Sequence, residues 1–215
     1  MSADRRERVE KAILELAYTP NALARALARQ QSMAVGVLVG SITDPYFAEV
    51  TRGIEDQARR GGYLTILCNT DRNLAVAKGY VELLGRQHAA GIVLVGGAFS
   101  GHVQQVELAA AVGRAVAEGS TVIAIGDSGL PGISTVSVDD MALLFDLTEY
   151  VCSLGHRRIA FVAAPAGFTS GDHRLAGFQA AMRSQGLDPS LVYVGGFDYS
   201  WGRRAAARML KDGLP

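Results

Sequence analysis

Four strand-like runs alternate with helix-periodic segments: AVGVLVG (34–40), YLTILCN (63–69), GIVLVGG (91–97) and STVIAIG (120–126). No other feature limits the fold so tightly. The first run is apolar without a break, as in a strand buried on both faces. Between the runs, apolar residues return at helical spacing. Phe47, Val50, Ile54 and Ala58 share one face; Leu74, Ala77, Val81 and Leu84 share the next; a further helix is expected over 103–118. Strands alternating with crossover helices imply right-handed βαβ units and a parallel sheet. The punctuation agrees. Asp44 stands as an N-cap before Pro45, which suits the first helical position, and Gly61-Gly62 stops that helix.

GDSGLPGIS (126–134) is rich in glycine and proline and reads as a crossing into a second subdomain. Beyond it, STVSVDD leads into a helix expected over 140–154. Then RRIAFVAA (157–164) reads as a strand, 172–186 as a helix, LVYVGG (191–196) as a strand and 199–212 as a helix. A second doubly wound sheet has begun, with two or so of its strands written. The expected fold class is α/β, with two doubly wound parallel-sheet subdomains, the second incomplete, preceded by a short helical segment.

Upstream, residues 4–16 place Val9, Ile13 and Leu16 on one helical face. Tyr18-Thr19-Pro20 breaks that helix, because Pro20 disfavours a helical Thr19. Asn21 can then cap a short helix, NALARALAR. A helix of about ten residues is marginal alone and orders only when something holds it.

Composition excludes several classes. With 49% hydrophobic residues, a sizeable core is available and disorder is not expected. The net charge is zero, so no global basic field draws the chain to nucleic acid. Residues 1–32 carry a net +2 and the remainder −2, a small asymmetry. Cys68 and Cys152 are expected to be free thiols of a reducing cytoplasm. Residues 1–16 are charged and helix-periodic, unlike a signal peptide, and no apolar run approaches the ~20 residues of a membrane span.

Catalytic motifs are deceptive or missing. GDSG at 126–129 looks like the nucleophile loop of trypsin-like proteases, but an α/β pattern cannot supply the barrel that brings His and Asp to it. Gly96 and Gly101 have P-loop spacing, yet His102 and Val103 stand where Lys and Ser/Thr are needed. His88, His102, His156 and His173 are dispersed and lack metal-ligand spacing. No cofactor and no metal are expected.

Five stretches in order, YTPNALARAL, DPYFAEVTRGIE, VSVDD, LGHRRIA and HRLAGF, resemble the lactose-repressor/galactose-repressor family of bacterial transcription regulators. The resemblance implies a core of the periplasmic-binding-protein-like type I fold. It implies a division into 1–32, a remnant of the DNA-binding headpiece with its hinge helix; 33–130, an N-terminal effector-binding subdomain; and 131–215, a partial C-terminal one. By family comparison both ends look cut: the two helices that precede the headpiece's last helix, and roughly a third of the effector core, are expected to be missing. The family further implies a homodimer, formed through helix 45–61 and its neighbours, and a cytoplasmic regulator that is not an enzyme.

The same resemblance assigns residues. Leu27 matches the hinge leucine that wedges between base steps in the minor groove of operator DNA, and Arg25 and Arg29 are phosphate contacts. Ala28 departs from relatives that carry lysine there. An effector cleft is expected outside the carboxyl ends of the strands. Asp44, Tyr46 and Phe47 sit just past the first strand. Asp139 begins a helix; Arg174, in HRLAGF, offers a planar fork of donors for hydroxyls or a carboxylate; Phe197 offers a flat apolar face. Asp127 and Ser170 complete the set. Each residue has a plainer reading: Phe47 as core, Asp139 as an N-cap, Arg174 as a surface ion pair. Leu143 and Ala90 replace a glycine and an aspartate common in relatives.

Three functions compete. The first is a ligand-responsive regulator, with a sugar or sugar derivative preferred over a nucleobase as effector. The second is a sugar-binding protein of a transport or sensing system, against which the hinge segment argues. The third is an enzyme on a doubly wound fold, for which no constellation is visible. Fold alone does not separate them.

Overall fold

The computed structural model describes residues 3–16, 32–97 and 103–213. The hinge residues Arg25, Leu27 and Arg29, and the expected helix NALARALAR, lie outside the described residues. A first helix, α1 (Ala3–Glu15), leaves its apolar face of Val9, Ile13 and Leu16 exposed.

The first lobe runs β1 (Ser32–Val39), α2 (Pro45–Arg60), β2 (Leu64–Asn69), α3 (Leu74–Arg86), β3 (Ala89–Val95), α4 (Val103–Ala117), β4 (Thr121–Ile125) and β5 (Ser134–Val136). Its five strands are all parallel, in the order β2-β1-β3-β4-β5. The pleat explains the unbroken apolar run of β1. Val37 and Val39 turn to one face, where Phe47, Val50 and Ile54 of α2 cover them. Leu38 turns to the other and joins Ala77, Val81 and Leu84 of α3 and Leu108, Ala111 and Val112 of α4. Both faces are buried, as a parallel sheet requires.

The second lobe comprises α5 (Asp140–Ser153), β6 (Phe161–Ala163), α6 (Thr169–Ser184), β7 (Val192–Val194) and α7 (Tyr199–Lys211). Strands β6 and β7 pair in parallel as a two-stranded sheet. Its core is Cys152, Phe178 and Met182, with the Phe178 ring stacked on Phe161 at 5.1 Å. The two cysteines are free and buried.

Three elements differ from the sequence reading. The strand expected over 157–164 is confined to Phe161–Ala163. The residues before it close α5 instead: Arg157 Nη1 donates to the Cys152 and His156 carbonyls at 2.8 and 3.1 Å. Helix α6 starts at Thr169, not 172, with Phe168 at the cap position and no side-chain capping bond to mark it. Strand β5 was not expected. It is three exposed residues long and owes its place to the ladder that β4 offers.

Candidate functional site

The strand order reverses direction between β1 and β3, because the chain moves outward to β2 and then returns. In such sheets a crevice opens beyond the carboxyl ends of the two strands at that point. The residues there are Gly40 after β1, and Gly96 and Gly97 after β3. A Cβ on Gly40 would stand 3.1 Å from the Phe47 ring, and Gly96 adopts φ +124. Glycine at these positions lets the crevice floor lie directly on Phe47.

Asp44 fixes the entry to α2. Its Oδ1 accepts from the Tyr46 backbone N–H at 3.0 Å, the N-cap bond expected from the sequence. Oδ2 accepts from Arg72 Nη2 at 3.1 Å. Arg72 comes from the loop after β2, which is tightly pinned. Thr70 donates to the Val39 carbonyl through both N–H and hydroxyl, each at 2.9 Å, and Asn69 Nδ2 donates to Asp71 Oδ1 at 2.8 Å. Asp71 and Arg72 both hold left-handed backbone, at φ 51 and 56. Two successive non-glycine residues in this region are costly and persist only where surrounding contacts impose them. The turn aims the Arg72 side chain across the ends of the strands.

There it meets the second lobe. The Arg72 guanidinium carbon lies 4.7 Å from the centre of the Phe197 ring and 5.6 Å from that of Phe47. Phe168 packs edge-on against Phe197, with centroids 4.8 Å apart. Thr169 Oγ1 donates to the Asp127 carbonyl of the first lobe at 3.1 Å. A Cβ on Gly97 would fall 2.9 Å from both the Phe168 ring and Ser170 Oγ, so the lobes touch at this glycine. Phe47, Thr70, Arg72, Gln105, Ser128 and Phe168 line a cavity of about 90 Å³ at the junction. A second cavity, of about 150 Å³, lies on the other lobe between Arg174, Phe197, Gly171 and Ala164.

The sequence candidates divide accordingly. Asp44, Phe47 and Phe197 converge on Arg72, and Ser170, only 6% exposed, faces Gly97. Phe47 is core and crevice floor at once. Arg174 lines the second cavity while its Nε donates to Asp140 Oδ1 at 2.7 Å. Its side chain is 49% exposed and that of Asp140 only 12%. Asp139 is exposed and caps α5 through the Ala142 N–H at 2.9 Å. The Asp127 carboxylate accepts from the Gly129 N–H at 3.2 Å, and its backbone carbonyl is what joins the lobes. Tyr46 stands exposed, edge-on to Phe47 at 5.2 Å. Beside Phe197, hydrogen bonds from the Ser200 hydroxyl and the Trp201 N–H hold the Asp198 carboxyl below its usual range while it caps α7. Sequence reasoning missed Arg72, Phe168 and Gln105. The signal present was the polar turn NTDRN between β2 and α3. Among the described residues no cluster of three metal-ligating side chains is found, and no helix is long and apolar enough to cross a membrane.

Two α/β lobes meeting over a polar and aromatic crevice define a two-lobed binding protein. A family model described as periplasmic binding proteins and the sugar binding domain of the LacI family matches residues 32–215, and the chain belongs to that family. It is 32% identical over 212 residues to the ribose operon repressor of Escherichia coli (strain K12), which covers 96% of this chain and 62% of that protein. It is 29% identical over 207 residues to the HTH-type transcriptional repressor CytR of the same strain, covering 95% of this chain and 59% of that one. The chain therefore spans less than two thirds of the length of either relative. The solved structure of the transcription regulator CcpA of Lactococcus lactis aligns with a TM-score of 0.70 at 25% identity, over 84% of this chain and 65% of that one.

Proposed function

We propose that the chain is the effector-sensing part of a bacterial transcription regulator, and that the effector is a sugar or sugar derivative bound between the lobes. The observation that carries this reading is the bridge from Asp44 through Arg72 to Phe197. It sets acceptors, donors and flat apolar faces at one crevice, the mixture that a hydroxylated ring needs. Sequence similarity to a ribose operon repressor supports the sugar class. Asp44, Tyr46, Phe47, Asp127, Asp139, Ser170, Arg174 and Phe197 are the proposed effector-binding set, with Arg72 added to it.

Residues 33–130 and 131–215 correspond to the two effector-binding subdomains, except that β5 (Ser134–Val136) pairs into the sheet of the first, and 1–32 belong to the headpiece and hinge. Arg25, Leu27 and Arg29 contact operator DNA in a homodimer that uses the outer face of α2. An effector that changes the angle between the lobes changes the spacing of paired hinges, so DNA and effector affinities are linked reciprocally.

Calorimetric titration with pentoses and hexoses tests the central claim. At least one sugar should bind saturably, and Arg174→Ala should weaken it roughly tenfold, because a lost bidentate donor leaves ligand acceptors unpaired. Absence of saturable binding across the panel overturns the sugar-sensing reading. Binding that Arg174→Ala leaves unchanged removes Arg174 from the site.

A further inference from the structure

The cavity at the lobe junction is not confined to the crevice. Part of its wall belongs to the sheet face that α3 and α4 cover: Leu38 of β1, Leu94 of β3, Leu74 and Ala77 of α3, Leu108 of α4, and Leu130 beyond β4. All of these but Leu74 are buried members of the larger core cluster, and Leu74 packs against it. Arg72 and Asn73 stand on the same wall. The space therefore has a polar end at the turn after β2 and an apolar slot between the starts of α3 and α4. A water-sized atom needs about 10–15 Å³ of such space, so a cavity of about 90 Å³ holds a short chain of heavy atoms.

One polar group in this slot is left with an unmet need. Gln105 lies in the first turn of α4 and lines the cavity. Its Nε2 donates to the Ser128 carbonyl at 2.5 Å. Its Oε1 is closed to solvent and has no hydrogen-bond partner among the described residues. Turning the amide over does not help, because its oxygen would then face the Ser128 carbonyl oxygen. The direction of the acceptor is thus fixed. Thr70, on the same wall, has spent its hydroxyl proton on the Val39 carbonyl at 2.9 Å, so it cannot donate to Gln105. A buried acceptor without a donor is costly, and here the other walls are mostly leucine.

We infer that the effector does not end at the crevice: it carries a short apolar arm that enters the slot between α3 and α4 and ends in a hydrogen-bond donor, which Gln105 Oε1 accepts. This rests on the sugar-sensing reading and adds a second specificity element to it. The leucines select an arm without polar groups along its length, since a hydroxyl placed among them would lose its water and find no partner. Gln105 selects what stands at the tip. A tip that only accepts would set two oxygens against each other and leave both unsatisfied.

The test titrates the 215-residue chain by calorimetry with ribose, glucose and galactose and with three glycosides of each: butyl, hydroxypropyl and methoxyethyl. The last two are isomers that differ in whether the arm carries a donor. On at least one sugar, the hydroxypropyl glycoside should bind at least roughly tenfold tighter than its methoxyethyl isomer and tighter than the free sugar. Gln105→Leu removes the acceptor and keeps an apolar side chain, so the order should invert, with the butyl glycoside tighter than the hydroxypropyl one. Circular dichroism establishes that the variant is folded, and the isomer comparison on the parent chain stands without it. Free sugars that bind as tightly as their glycosides, isomers that bind alike, or a donor preference that survives in Gln105→Leu overturns the inference and leaves the sugar-sensing reading standing. Failure of every probe, free sugar and glycoside, overturns both.

Discussion

Asp44 and Arg72, 28 residues apart in the chain, are joined by an ion pair of 3.1 Å in which the carboxylate is already committed to a helix start. One side chain thus orients α2 and restrains the loop after β2. The two tasks separate by substitution. Asp44→Ala loses the cap, worth about 1 kcal/mol. Thermal unfolding followed by circular dichroism should then fall by roughly 2–4 °C for a chain of this size. Asp44→Asn keeps an equally good capping oxygen and loses only the charge, so its melting temperature should stay near that of the parent. An asparagine variant melting as low as the alanine variant would mean that the ion pair, not the cap, holds this corner.

What the sequence made legible was local. Asp44-Pro45 and Gly61-Gly62 mark the ends of α2 through capping chemistry confined to a few neighbouring residues, and both ends fall within a residue of the expected bounds. The unbroken runs of β1 and β3 announce burial on both faces. Arg72 was invisible for the opposite reasons. Its partners are 28 and 125 residues away, and its reach depends on positive φ at two non-glycine residues. Nothing in periodicity or composition reports such a turn. Phe168 and the start of α6 were missed because no capping side chain marks them. The short β5 was missed because its exposed residues take their conformation from pairing with β4 rather than from their own pattern.

Cys68 gives a chemical check on burial. It is 5% exposed within the core under α3, and burial alone pushes its thiol above the ordinary cysteine range. The thiolate is the reactive form, so raising the pKa lowers its fraction at any pH near 8. Alkylation of the native protein with iodoacetamide should leave Cys68 unmodified over a time in which a denatured sample reacts completely. Mass spectrometry of the digested chain reads the outcome. Rapid native labelling of Cys68 would mean that the face under α3 opens readily.

Thr65 offers a gain of stability. Its hydroxyl is buried in β2 with no hydrogen-bond partner among the described residues. A buried unsatisfied group of this kind costs about 1–3 kcal/mol. Thr65→Val is nearly the same shape, keeps the β-branch that a strand favours and removes the hydroxyl. The variant should therefore melt higher by at least about 2 °C. A lower melting point would mean that the hydroxyl has a partner, such as a bound water.

Gly177 sets two known effects against each other. It lies inside α6, where alanine would be favoured over glycine by about 1 kcal/mol on helix propensity alone. A Cβ at Gly177 would, however, lie 2.2 Å from the Met141 carbonyl oxygen and 3.1 Å from the Phe145 nitrogen, both backbone atoms of α5. No rotamer change relieves a contact with backbone, so the two helices must move apart. Phe178, the neighbouring residue, and Met182 fill the core of this lobe and are essentially closed to solvent. Separating the helices therefore loosens packing that has no slack, and overpacking of this kind costs about 1–3 kcal/mol. The clash should win. Gly177→Ala should lower the melting temperature of the second lobe, whereas Gly113→Ala in α4, where a Cβ meets nothing within 4 Å, should raise that of the first. A Gly177→Ala variant as stable as the parent would show that α5 and α6 can shift against each other at little cost, and the second lobe would then be far more plastic than its contacts imply.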